Sequence, residues 1–170
     1  MWTYVALLRG VNVLGAAPLS MRDLVRLCED AGHRDVRTVL ASGNAVFRSP
    51  ASEASVQAGL EARLAAHAGK SIRVHVRRAD ALQAVLRGNT WPQAPGNQAM
   101  AIFLDDPPTR DMLDAVKNQA ANEFLALGRR ELYVWYGSGQ GQSKMRIPAT
   151  QAGTARNMNT IAKLAALAAA

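Results

Sequence analysis

The residues of this chain best suited to chemistry are one arginine, several asparagines and three short polar clusters. Arg9-Gly10-Val-Asn12 follows an apolar run, and Ser42-Gly43-Asn44 lies between two others. A guanidinium, side-chain amides and turn N–H groups gathered at one place suit an anion, phosphate above all. Each residue also has an ordinary use, since Asn and Gly build turns and Arg bonds carbonyls of its own loop. The third cluster, Ser143-Lys144, closes the glycine-rich stretch that begins at Gly137. A Walker loop ends Gly-Lys-Ser/Thr and opens a helix. Here the order is Ser-Lys, and Met145-Arg-Ile-Pro148 reads as strand. Gly137, Gly139 and Gly141 do not have dinucleotide spacing either. The stretch reads as a hairpin turn with N–H groups able to close over a ligand.

Other chemistries find less support. His33, His67 and His75 have no metal-ligand spacing, so no metal is expected. Asp105-Asp106 precede Pro107-Pro108, which makes them cap and turn residues before acid–base catalysts. No Gly-x-Ser-x-Gly elbow is present, and Ser143 and Lys144 on a strand would point to opposite faces. No cofactor is implied.

Elements that would position these residues follow from periodicity. Tyr4 to Leu8 is apolar on both alternating sets, which predicts a strand covered on both faces. Ser20 opens a helix with Met21, Leu24, Val25 and Cys28 on one face, stopped by Gly32. Val36 to Ala41 and Ala45 to Phe47 are strands, with Gly43-Asn44 fitting a type II′ turn. A helix over residues 53–68 carries Val56, Leu60 and Leu64, and Gly69 ends it. Ile72 to Arg77 alternates, with Ile72, Val74 and Val76 expected inward and Arg73, His75 and Arg77 outward. The order β-α-β-β-α-β over residues 1–78 is the ferredoxin-like arrangement. It would bring Arg9, Gly10 and Asn12 beside Ser42, Gly43 and Asn44. Strand three, Ala45-Val-Phe-Arg48, lacks the basic-aromatic signature of RNA-recognition domains.

Residues 79–98 read as a helix and connecting loop. A second α+β half over residues 99–170 has the order β-α-β-β-α. Its strands are Met100 to Leu104, Leu132 to Tyr136 and Met145 to Ile147. Its helices run from Pro107 to Leu127, with Met112, Val116, Ala120 and Phe124 four apart, and from about Asn159 to Ala168. The expected fold class is α+β, with two ferredoxin-like halves packed together, the second lacking a final strand.

Composition agrees with a folded chain of that size. The 170 residues are 49% hydrophobic, with a mean hydropathy of −0.07, which excludes wholesale disorder. The charge of +7 divides as +5 over residues 1–90 and +2 over 91–170, with no basic tail. Sixteen of the twenty basic residues are arginine, which suits phosphate recognition but equally reflects an Ala/Arg-rich composition. One cysteine, Cys28, forms no internal disulfide and points to a reducing compartment. No apolar run approaches the roughly 20 residues of a membrane span. A cytoplasmic location without membrane partners is expected.

Taken together, Tyr4-Val-Ala-Leu-Leu-Arg-Gly-Val-Asn-Val13, Met21, Val36-Arg-Thr38 and Ser42-Gly43-Asn44 with Phe47 resemble the bacterial family known as domain of unknown function 1697. Gly141 with Ser143-Lys144 and Thr154-Ala-Arg-Asn-Met-Asn-Thr160 resemble its C-terminal motifs. The resemblance implies two ferredoxin-like subdomains and no established activity. The family usually has a second glycine pair where this chain has Leu14-Gly15, and tryptophan where it has Met158. Methionine keeps apolar volume but loses indole stacking and an N–H donor.

Arg156, Asn157, Asn159 and Thr160 open an otherwise bland Ala/Leu helix, and capping needs only one of Asn157, Asn159 or Thr154. This excess suggests that the helix start joins the Arg9 edge in one polar cleft between the halves. The function expected is binding of a phosphate-bearing small molecule or nucleic acid. Arg9, Lys144 and Arg156 would supply charge, while Asn12, Ser42, Asn44 and Asn157 would orient the ligand. An enzyme of unrecognised type using the same cleft is one alternative. An interaction module whose motifs are purely structural is the other.

Overall fold

The computed structural model describes residues 1–12 and 18–170. The departure at Leu14-Gly15 lies outside them. The chain is mixed α+β, with two four-stranded antiparallel sheets and, among the described residues, five α-helices. It divides into two compact units, Met1–Leu82 with Leu164–Ala170, and Gln83–Lys163.

In the first unit β1 (Trp2–Leu8) lies between β3 (Asn44–Ser49) and β4 (Val74–Arg78), and β2 (Arg34–Thr38) pairs with β3, giving the order β2-β3-β1-β4. α1 (Met21–Asp30) and α2 (Glu53–Ala68) supply Leu24, Cys28, Val56, Leu60 and Leu64 to a core shared with Tyr4, Ala6, Leu8, Phe47, Val74 and Val76. Local signals place both helices. Ser20 Oγ accepts from the Asp23 N–H at 3.0 Å, Ser52 Oγ accepts from the Ser55 N–H at 3.2 Å, and Gly69 ends α2 at φ +71°.

The outward assignment of His75 and Arg77 is corrected. His75 is fully buried and Arg77 nearly so. They pair with Leu7 and Val5 of β1, both fully buried, so they share a covered sheet face. One Arg77 Nη donates to the Val76 carbonyl at 3.1 Å.

In the second unit β5 (Ala99–Phe103) lies between β7 (Glu131–Tyr136) and β8 (Thr154–Asn157), and β6 (Glu123–Leu127) pairs with β7, giving β6-β7-β5-β8. α3 (Ala79–Arg87) precedes this sheet and α5 (Met158–Ala169) follows it. The expected helix from Pro107 to Leu127 is a single short helix, α4 (Arg110–Asp114). Residues 123–127 form a strand instead. Its apolar spacing of four is real, but Asn118 turns at φ +59° and Lys117 bridges to Arg146, which stops the helix. The hairpin with β7 then uses every residue of 123–127 in cross-strand pairs.

The expected strand at Met145–Ile147 reduces to that one bridge. The fourth strand is β8, so the second sheet does not lack one. β8 alternates buried Thr154 and Arg156 with half-buried Ala155 and Asn157. A buried arginine conceals that alternation in the sequence. Among the described residues no helix is long and apolar enough to cross a membrane.

Candidate functional site

The end of β1 and the β2–β3 connection are joined through backbone and amide groups. Leu8 N–H donates to the Gly43 carbonyl at 2.9 Å, and Arg9 N–H to the Arg73 carbonyl at 3.0 Å. Asn12, at φ +56°, donates its amide to the carbonyls of Leu19 and Ala41 and accepts from the Leu19 N–H, each at 2.7 Å. Its side chain thereby ties the loop after β1 to the β2–β3 loop. Arg9 and Ser42 are exposed there.

The type II′ turn is corrected. Asn44 is the first residue of β3, and Val39 N–H donates to its carbonyl at 3.0 Å around a four-residue loop. That loop takes left-handed backbone at Leu40 (φ +63°) and Gly43 (φ +89°). The Asn44 side chain is fully buried and donates to the Val39 carbonyl at 2.7 Å and to Ser42 Oγ at 3.1 Å. A Cβ on Gly43 would lie 2.6 Å from Val11 Cγ2 and 2.9 Å from Leu8 Cβ. Close approach explains the glycine.

In the second unit Ser143 Oγ donates to the buried Glu123 carboxylate and accepts from the Met145 N–H at 3.0 Å. The other Glu123 oxygen accepts from the Ala120 N–H at 2.9 Å. Lys144 is exposed and lines a cavity of about 390 Å³ with Asn118, Asn122, Glu123 and Ser143. Arg156 is buried on β8. Its Nη1 donates to Thr154 Oγ1 at 2.8 Å and to the Ala155 carbonyl at 2.9 Å. Burial pushes its pKa down to about 10, which still leaves a cation at neutral pH.

Asn157 Oδ1 accepts from the Thr160 N–H at 2.9 Å and caps α5. Exposed Asn159 packs against Gly96, where a Cβ would fall 2.0 Å from Asn159 Oδ1. The Met158 N–H donates to the Gly96 carbonyl at 3.1 Å, and the Met158 side chain is buried.

A further feature that sequence reasoning missed is also in this unit. A cavity of about 640 Å³ is lined by Lys117, Arg146, Gln140, Ser143, Thr150 and Gln151, with apolar walls from Ala115, Tyr136, Met145, Ile147 and Pro148. Lys117 and Arg146 exchange both backbone hydrogen bonds, at 2.9 and 2.8 Å. In such a directly opposed antiparallel pair the side chains leave on the same side, with Cβ atoms about 5 Å apart. Among the described residues neither side chain makes an ion pair, and no acidic residue lines the cavity. Two like charges set opposite each other repel unless an anion lies between them. Twenty-eight residues separate the two in sequence, and only pairing register joins them.

Among solved structures, the chain is similar to a conserved bacterial protein from Streptococcus pneumoniae. The TM-score is 0.81 and the identity 22%, and 98% of each chain is covered. At that identity the likeness speaks to fold. No curated protein matches the chain. The family model described as "protein of unknown function (DUF1697)" matches residues 1–133, most of the chain, and the protein belongs to that family.

Proposed function

We propose that this protein binds an anionic, phosphate-bearing ligand, and that the 640 Å³ cavity of the second unit receives it. The observation that carries this reading is the Lys117–Arg146 bridge. It sets two cations side by side at a cavity with no acidic wall residue. A phosphate there would relieve the repulsion and accept charge-assisted hydrogen bonds from both. Ser143 is the one motif residue among Arg9, Asn12, Ser42, Gly43, Asn44, Ser143, Lys144, Arg156, Asn157 and Asn159 that lines this cavity.

For several of the others, the bonds described support a structural role. The amides of Asn12 and Asn44 hold backbone carbonyls, and Asn157 caps a helix. The strand orders β2-β3-β1-β4 and β6-β7-β5-β8, antiparallel throughout, support a ferredoxin-like reading of both units. The single buried cysteine supports a reducing compartment such as the cytoplasm.

The test is calorimetric titration with inorganic phosphate and pyrophosphate at low and moderate salt. Binding is expected to weaken as salt rises. It should fall about tenfold or more in Lys117→Ala or Arg146→Ala, each of which removes a charged hydrogen-bond donor. Binding that is indifferent to salt and unchanged in the double variant would overturn the reading.

A further inference from the structure

The charge and the walls of this cavity narrow its ligand further, given the anion-binding reading above. Lys117 and Arg146 bring two positive charges, and among the described residues no other cationic side chain lines the cavity. Two charges match one phosphate monoester, which carries about −1.5 to −2 near neutral pH. A triphosphate would leave roughly half of its charge uncompensated here, and a polyanionic backbone more. The rest of the lining is unlike a site for free phosphate. Ala115, Tyr136, Met145, Ile147 and Pro148 contribute apolar lining. Gln140, Gln151 and Thr150 add neutral hydrogen-bonding groups.

The volume is also far larger than a phosphate needs, and falls within the roughly 300–1,000 Å³ usual for organic ligands. An apolar wall favours a ring that brings dispersion and hydrophobic contact. Carboxamides favour a ring whose edge has both donors and acceptors, because each offers two donors and one acceptor. With no acidic wall residue, a ligand carrying an ammonium group has no counter-charge.

We infer that the cavity is a site for a nucleoside monophosphate, with phosphate at Lys117 and Arg146 and the base against the wall containing Tyr136 and Met145. The sugar, uncharged and polar, would span the hydroxyl and amide groups between. Met145 is half-buried and flexible, so its thioether can adapt to a planar face. The site is thus selective by body as well as by charge.

The experiment titrates the full chain with adenosine and uridine 5′-monophosphates, ribose 5-phosphate, adenosine and inorganic phosphate. At least one nucleoside monophosphate is expected to bind about tenfold or more tightly than ribose 5-phosphate. Arg146→Ala should weaken the nucleotides and ribose 5-phosphate about equally. Met145→Ala should weaken the nucleotide several-fold and leave ribose 5-phosphate unchanged. Both side chains are partly or wholly exposed, so thermal unfolding of each variant establishes that it is folded. Equal affinity for ribose 5-phosphate and both nucleotides overturns the nucleotide assignment while the anion site stands. Binding of none of the phosphorylated compounds, inorganic phosphate included, overturns both.

Discussion

Replacing Gly43 by alanine tests whether the Ser42-Gly43-Asn44 cluster is held by packing or kept for a ligand. Gly43 sits at φ +89°. A residue with a side chain pays roughly 1–2 kcal/mol to occupy left-handed backbone. The added Cβ would meet Val11 Cγ2 at 2.6 Å and Leu8 Cβ at 2.9 Å. Val11 can turn its methyl aside, but Leu8 Cβ is fixed to the β1 backbone and fully buried. Either the β2–β3 loop or the end of β1 must shift, at a cost of about 1–3 kcal/mol as for other overpacked sites.

The expected loss is therefore about 2–5 kcal/mol, a large share of a typical 5–15 kcal/mol stability. Gly69→Ala separates the two contributions. Its glycine is also left-handed, at φ +71°, but nothing lies within 4 Å of the added Cβ. That variant should lose only the backbone share, about 1–2 kcal/mol. Urea unfolding followed by circular dichroism measures both, with unchanged slopes as the check on two-state behaviour. If Gly43→Ala loses no more than Gly69→Ala, the packing argument fails. If it stays folded, loses little stability and abolishes phosphate binding, the cluster is a ligand site after all.

Two further outcomes follow from buried ionisable groups of the first unit. His33 stacks face to face on Phe47, with centroids 4.3 Å apart, and both ring nitrogens are buried without hydrogen-bond partners among the described residues. Burial, and secondarily Arg63, push its pKa below 6.5. The unfolded chain then takes up a proton first, so stability falls as pH drops below about 6.5 toward the folded pKa. His33→Phe should flatten that loss between pH 7 and 5 in urea titrations, and an identical pH profile for the variant would refute the assignment. Cys28 is fully buried, and burial, with some contribution from Glu29, raises its thiol pKa to about 12. Its reaction with an aromatic disulfide at pH 8 should wait on opening of the fold, and labelling at the rate of a free thiol would contradict the buried placement.

What was legible in the sequence divides along the range of the interactions concerned. The cap at Ser20 and the stop at Gly69 depend on neighbours a few residues away, and their residue types announce them. The proximity of Arg9-Asn12 to Ser42-Asn44 followed from strand order, but not the bonds that occupy Asn12 and Asn44. In the segment from Met112 to Phe124 a helical period is present, but its end pairs with β7 in a hairpin and its middle bridges to Arg146, far along the chain. The Lys117–Arg146 pair has no motif at all, because each is an isolated cation until register sets them opposite.

Arg77 and Arg156 carry the same lesson in paired form. Each lies on the last strand of its sheet, opposite a fully buried residue of the central strand, Val5 or Ala101. Each turns a guanidinium nitrogen back onto the preceding carbonyl, at 3.1 and 2.9 Å. Arginine normally marks a solvent face, so the sequence pattern alone puts one outward and the other at a helix start. A guanidinium has five N–H donors, and satisfying them within the fold is what permits such burial. The two sheets thus share a construction that no sequence repeat displays, since what is repeated is a position in the pairing and not a run of residues.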